Sequence, residues 1–162
     1  MSSNLPISRR ALLAGLAAST LVLATRASLA QEALPKMVVT KDPNCGCCTG
    51  WVEHVRAAGF DVDVVESAEV NRLKTRLGVP QPLASCHTAE TGGYVIEGHV
   101  PPAAIKRLLA EKPDGTGLAV PGMPVGSPGM EVEGMESETY EVVLFGPSGQ
   151  RTYARYTGAR EA

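Results

Sequence analysis

Asn44-Cys45-Gly46-Cys47-Cys48-Thr49-Gly50 holds three of the chain's four cysteines within four residues. An apolar run, Met37-Val38-Val39-Thr40, precedes it; Trp51, Val52 and Val55 follow at helical spacing, with Ala58 one turn on. The stretch therefore sits at a turn between a strand and the start of a helix. Unpaired N–H groups at a helix N-terminus, with the positive end of its dipole, favour thiolate over thiol. Both redox chemistry and soft-metal binding need thiolates.

Three readings of the stretch stay open at this level. Cys45 and Cys48 have the C-x-x-C spacing of thiol–disulfide exchange proteins. Cys45, Cys47 and Cys48 together form C-x-C-C, dense enough to hold one metal ion or to share several. The third reading is a structural disulfide with one thiol left over.

Upstream, residues 1–30 read as an export signal. Ser8-Arg9-Arg10 leads into an apolar run from Ala11 to Ala24, which at about 14 residues is short for a bilayer span. Ser28-Leu29-Ala30 then offers the small residues of a cleavage site, and the paired arginines resemble a twin-arginine signal. Residues 31–162 form the expected single mature domain, periplasmic, with no stable membrane span after cleavage. Taking Arg9, Arg10 and Arg26 from the 15 Lys and Arg leaves 12 basic against 17 acidic side chains, so the formal net charge moves from −2 to −5. That balance, with no basic cluster, argues against a nucleic-acid partner. Export also places the cysteines where disulfides persist.

Downstream, Lys41-Asp42-Pro43-Asn44 reads as a loop whose Asn44 caps a helix over Cys48–Ala58, closed by Gly59. The polar–apolar alternation of Asp61–Glu66 predicts a half-buried strand, and Ala68–Leu77 a second helix. Leu83–Thr88 and Tyr94–Glu97, joined through Gly92-Gly93, predict a hairpin, and Pro101-Pro102 opens a third helix. Lys112 to about Glu138 is a long glycine-, proline- and methionine-rich loop, and Tyr140–Phe145 with Gln150–Tyr156 a closing hairpin. The resulting α/β order, β-α-β-α-β-β-α, resembles that of thioredoxin-like folds.

In that order the third strand lies beside the first, so Cys86 is expected near the Cys45–Cys48 turn. Pro80 or Pro82 is then expected as the cis-proline that such folds place before the third strand. A plain thiol exchanger has no need of Cys47 or Cys86, and the extra sulfurs favour metal. Thiolates with thioethers suit Cu(I), one ion or several, while thiolates alone also suit Zn(II); adjacent Cys47 and Cys48 make a single tetrahedral zinc awkward. His87 joins the site only if its strand has ended or bulged, because neighbours in a strand face opposite ways. His99 is a loop histidine, read as solvated or as a ligand. His54 lies off the helical face of Cys48 and reads as surface. Met123 and Met130, in loops with little core to fill, are candidate thioether donors. Glu131, Glu133, Glu136 and Glu138 read as a solvated face.

Lys41–Cys48, Ser85-Cys86-His87-Thr88, Tyr94–Pro101 and Pro121-Gly122-Met123-Pro124 together resemble an exported bacterial family of small metal-binding proteins that includes the CopG-type copper-resistance proteins. The resemblance spans about Met37 to Tyr156. It implies a thioredoxin-like core that binds copper through Cys45, Cys47, Cys48 and Cys86 in periplasmic copper tolerance. It carries His87 and His99 over less directly. The expected partners are copper ions and other periplasmic copper-handling proteins, in a metal-binding or redox protein rather than a conventional enzyme. Thiol–disulfide exchange by Cys45 and Cys48 is the alternative, and structural zinc a third.

Overall fold

The computed structural model describes residues 33–162, so the expected signal over residues 1–30 lies outside the described residues. The elements run β1 (Met37–Lys41), α1 (Gly46–Ala57), β2 (Val62–Glu66), α2 (Val70–Arg76), a 3-10 turn (Gln81–Leu83), β3 (His87–Thr91), β4 (Tyr94–Glu97), α3 (Pro102–Glu111), β5 (Gly117–Ala119), β6 (Thr139–Gly146), β7 (Gly149–Thr157) and β8 (Arg160–Glu161). All eight strands form one mixed sheet in the order β2-β1-β3-β4-β5-β6-β7-β8. β1 runs parallel to β2 and antiparallel to β3, with Lys41 opposite His87. The C-terminal ends of β1 and β2, the start of α1 and the start of β3 therefore meet at one end of the sheet. Among the described residues no helix is long and apolar enough to cross a membrane.

The alternation of side chains along the strands divides the core in two. Ile96, Leu118 and Leu144 face the larger layer, where α1 contributes Trp51, Val52 and Val55 and α3 contributes Ala104, Ile105 and Leu108. Their neighbours Val95, Ala119 and Phe145 face the other way, under Val79 and Leu83 of the segment that follows α2. This second layer also encloses an ion pair. Lys74 of α2 lies 2.6 Å from the fully buried carboxylate of Glu97 on β4, and Thr88 donates to the same carboxylate at 2.7 Å.

Several sequence expectations shift. The helix begins at Gly46 with Cys45 as its N-cap residue, so Asn44 lies one position outside; its own N–H turns back to the Asp42 side chain. Leu83–Thr88 is not one strand: Pro82 sits in the 3-10 turn, and β3 starts only at His87. No peptide bond is cis among the described residues, which removes the cis role from Pro80 and Pro82. β2 is an edge strand, and only its Val62 is buried while Val64 and Val65 stay exposed. The long loop contains β5, whose Gly117 runs so close to the Val95 backbone that no side chain fits. Gly92 and Gly93, both at positive φ, make the two-residue turn between β3 and β4.

Candidate metal centre

Cys45, Cys47 and Cys48 occupy the cap and first turn of α1. Cys48 is buried against the core, whereas Cys45 and Cys47 remain partly open to solvent. Cys45 and Cys48 are joined as a disulfide. Cys47 is free, with its Sγ 3.6 Å from that of Cys45. No side chain caps the helix, so no carboxylate or hydroxyl of the N-cap residue competes for the N–H groups of this turn.

Cys86 arrives from the bend between the 3-10 turn and β3. The sulfurs of Cys45, Cys47, Cys48 and Cys86 all lie within 4.8 Å of one another. Cys86 belongs equally to a second group, with His87 and His99, whose donor atoms meet the same limit. Its Sγ stands 3.4 Å from His87 Nδ1 and 3.1 Å from His99 Nε2. His99 Nδ1 donates to the Pro128 carbonyl at 2.8 Å, which leaves Nε2 as the lone-pair nitrogen facing the sulfur. His87 packs on Trp51, ring centroids 4.4 Å apart, and its buried Nε2 has no hydrogen-bond partner.

A strap of irregular chain, residues 120–131, holds these parts together. The Gly122 carbonyl accepts from Ser85 Oγ at 2.6 Å, one residue before Cys86. Gly129 lies against the first turns of α1. Its φ is +83°, and a Cβ there would stand 2.5 Å from Trp51 N and 2.7 Å from the Cys47 carbonyl oxygen. Glu131 fastens the far side, reaching His54 Nε2 at 2.8 Å and the Gly129 N–H at 2.8 Å.

Burial sets the protonation states. It pushes the Cys86 thiol up to about 11, with the nearby Cys47 adding to the rise. It holds His87 well below its ordinary value, with His99 and the Lys74 ammonium acting in the same direction. His99 is also lowered by burial, against the opposing pull of the Pro128 carbonyl and Glu131. Both imidazoles are therefore neutral at pH 7, the form that binds metal. At a metal–sulfur bond of about 2.3 Å, two sulfurs on one ion stand about 3.8 Å apart in tetrahedral geometry and about 4.6 Å in linear geometry. The 3.6 Å between Cys45 and Cys47 Sγ and the 4.8 Å limit on the whole group are of that size.

The structure thus brings together all four cysteines with His87 and His99. The condition set for His87 is met, because β3 begins at His87 and strand alternation does not govern Cys86. The solvated reading of His99 is corrected: its ring is fully buried under the strap. His54 is a partly exposed surface residue, and Glu131, Glu133, Glu136 and Glu138 are exposed, as expected. Met123 is 52% exposed and Met130 half-buried, both on or beside the strap. Sequence reasoning missed Ser85, Lys74 and Glu97. The available signal was Glu97 itself, an acid at an inward-facing position in the strand Tyr94–Glu97.

Comparison with known proteins relates the chain to a family model and to two solved structures. A family model described as "Protein of unknown function, DUF411" matches residues 83–130, which contain Cys86, His87, His99 and the strap. Two solved structures are similar over most of the described chain. Form 1 of "Copper resistance protein copG" has 45% identity and a TM-score of 0.71, covering 77% of this chain and 99% of that one. Form 2 of the same protein has 45% identity and a TM-score of 0.71, covering 76% and 98%. No curated protein matches the chain.

Proposed function

The chain belongs to the family of the CopG-type copper resistance proteins, and from that premise we propose that it is an exported, periplasmic protein holding Cu(I) at Cys45, Cys47, Cys48 and Cys86. The observation that carries this reading is the convergence of four sulfurs from two distant segments within 4.8 Å. The donor chemistry fits: thiolates are soft, sulfur bridges two copper ions readily, and the neutral imidazoles of His87 and His99 extend the set. His87 offers Nδ1 to the group, 3.4 Å from Cys86 Sγ. Copper is cargo here, bound for tolerance, buffering or transfer to other periplasmic copper-handling proteins.

Loading requires two changes in the chain's own groups. The Cys45–Cys48 disulfide must accept two electrons from a pair of donor thiols, which leave as a disulfide while both protein sulfurs are freed. The incoming metal must displace the Cys86 proton to solvent, so binding releases acid. Met123 and Met130 are assigned as outer thioether donors that meet copper on its way in, since thioethers do not form disulfides in an oxidising compartment. The strand order β2-β1-β3-β4 and the interleaved helices support a thioredoxin-like assignment for β1 to α3. The export signal read over residues 1–30 supports the compartment.

The test is the metal and free-thiol content of residues 31–162 purified from copper-supplemented cells without exposure to air. More than one copper per chain with all four thiols reduced is the expected result. No metal, with Cys45 and Cys48 paired, would remove the copper reading.

The Cys45–Cys48 disulfide itself favours a second reading, thiol–disulfide exchange. There the Cys45 thiolate attacks a substrate disulfide and expels one thiol, and Cys48 then attacks the mixed disulfide to expel the other. Two electrons pass to the substrate and the Cys45–Cys48 bond re-forms. Insulin reduction separates the two readings: an exchanger retains most activity in a Cys47→Ser, Cys86→Ser double variant, whereas a copper site collapses.

A further inference from the structure

The buried ion pair beneath β3 and β4 touches the centre at one point. Glu97 is completely buried, and both of its carboxylate oxygens are occupied. Oε1 accepts from Lys74 Nζ at 2.6 Å and from the Ser85 backbone N–H at 2.6 Å. Oε2 accepts from Thr88 Oγ1 at 2.7 Å, and Lys74 donates to the same hydroxyl at 2.9 Å. Thr88 and Glu97 are directly opposite across the β3–β4 ladder, so the carboxylate is fixed by the sheet. Ser85, by contrast, lies in a bend outside any strand, where no ladder partner meets its N–H.

A pair buried this deeply is a poor device for stability. Desolvation of two ions offsets most of their attraction, and well-packed apolar replacements are often neutral or stabilising. What an apolar pair cannot do is accept the Ser85 N–H. That N–H precedes Cys86, and the same serine is held twice more: its Oγ donates to the Gly122 carbonyl, and its Cβ fills the space beside Gly98, where a further Cβ would come within 2.6 Å.

We propose that Glu97 is the positioning residue for Cys86, with Lys74 held in the core as its counter-ion. The carboxylate fixes the Ser85–Cys86 bend from beneath the sheet while the strap fixes it from above. Cys86 Sγ is thereby kept where the sulfur group and the two histidines overlap. The effect on copper rests on the reading that Cys86 is a ligand; the geometric effect on Cys86 does not.

The test compares two double variants of the mature protein. Lys74→Met, Glu97→Leu removes the acceptor together with both charges. Lys74→Met, Glu97→Gln removes the charges but restores an uncharged acceptor for Ser85. In the first, melting should remain near wild type while Cu(I) affinity falls by about tenfold, the lower end for loss of an outer-shell partner. Thiol labelling of Cys86 in the reduced, copper-free protein, followed by peptide mass, should accelerate. The Gln variant should return both readouts towards wild type, a rescue that a merely structural role would not produce. Wild-type affinity and labelling in the Leu variant, or no rescue by Gln, would overturn the proposal.

A measurement on the wild-type chain covers the case in which the Leu variant does not fold. The Ser85 amide proton should resist hydrogen exchange although it lies outside any strand; rapid exchange would equally overturn the proposal. Cys86→Ser tests the copper reading alone: unchanged affinity there removes Cys86 as a ligand, while labelling and exchange still decide the positioning role.

Discussion

The two halves of the candidate metal centre are built on opposite plans. One half, Cys45, Cys47 and Cys48, comes from a single turn, partly faces solvent, and changes state by making or breaking one covalent bond. The other, Cys86, His87 and His99, is drawn from two strand ends, sits largely out of water, and is held by hydrogen bonds from the strap and the opposite sheet face. The contiguous half responds to redox conditions. The assembled half responds to proton concentration and to packing far from the sulfur atoms. Only Cys86 belongs to both donor groups.

That asymmetry ranks the consequences of mutation. Cys86→Ser removes the shared donor, so Cu(I) affinity should fall by more than the roughly 10–100-fold usual for an outer-shell loss. Competition against a coloured Cu(I) chelator measures this. Cys47→Ser should cost less, because Cys47 serves one group; equal losses would break the comparison. Gly129→Ala attacks the assembled half through the strap. A side chain at φ +83° against the Trp51 backbone should destabilise the fold by about 1–3 kcal/mol, read as a lower melting temperature.

A smaller effect comes from pH in the copper-free protein with the Cys45–Cys48 disulfide intact. His87 and His99 titrate lower in the fold than in the unfolded chain, where the value is about 6.5. Their contribution is complete above that value and is lost as pH falls below it, because the unfolded chain takes up protons first. Cys86 shifts the other way, from 9.0 to about 11, so its contribution is complete below pH 9 and is lost on rising towards 11. Thermal melts across pH should show both slopes, and His99→Asn should flatten the acid one. The smallest change is expected from Met123→Ser with Met130→Ser. Equilibrium affinity should stay within about twofold, well below the roughly 10–100-fold of an outer-shell loss, while stopped-flow copper uptake slows.

The contiguous half was legible in the sequence because its chemistry and its local structure share the same seven residues. The arrival of Cys86 followed from the order of strands, since a third strand laid beside the first brings position 86 to the turn. The burial of His99 was not legible: it depends on a carbonyl at Pro128, contributed by a segment with no periodicity to place it. The Lys74–Glu97 pair escaped for a related reason. Lys74 sits among helical residues whose apolar spacing gives no hint that an ammonium points inward. β5 and β8, at three and two residues, are too short to carry an alternation.

The strap meets the centre through its main chain: the Gly122 carbonyl on Ser85, the Pro128 carbonyl on His99, and the Gly129 backbone on α1. Contacts of this kind do not read an exposed side chain such as that of Met123, whereas Gly126, at positive φ against Ser137, leaves no room for one. They are sensitive to how many residues there are, because Gly122 and Pro128 must reach two fixed points from positions six apart. The strap therefore works as a gauge of length. Between those carbonyls one residue gained or lost should do more harm than an exchange at an exposed position such as Met123, which makes a loop irregular in sequence one with little freedom to change size.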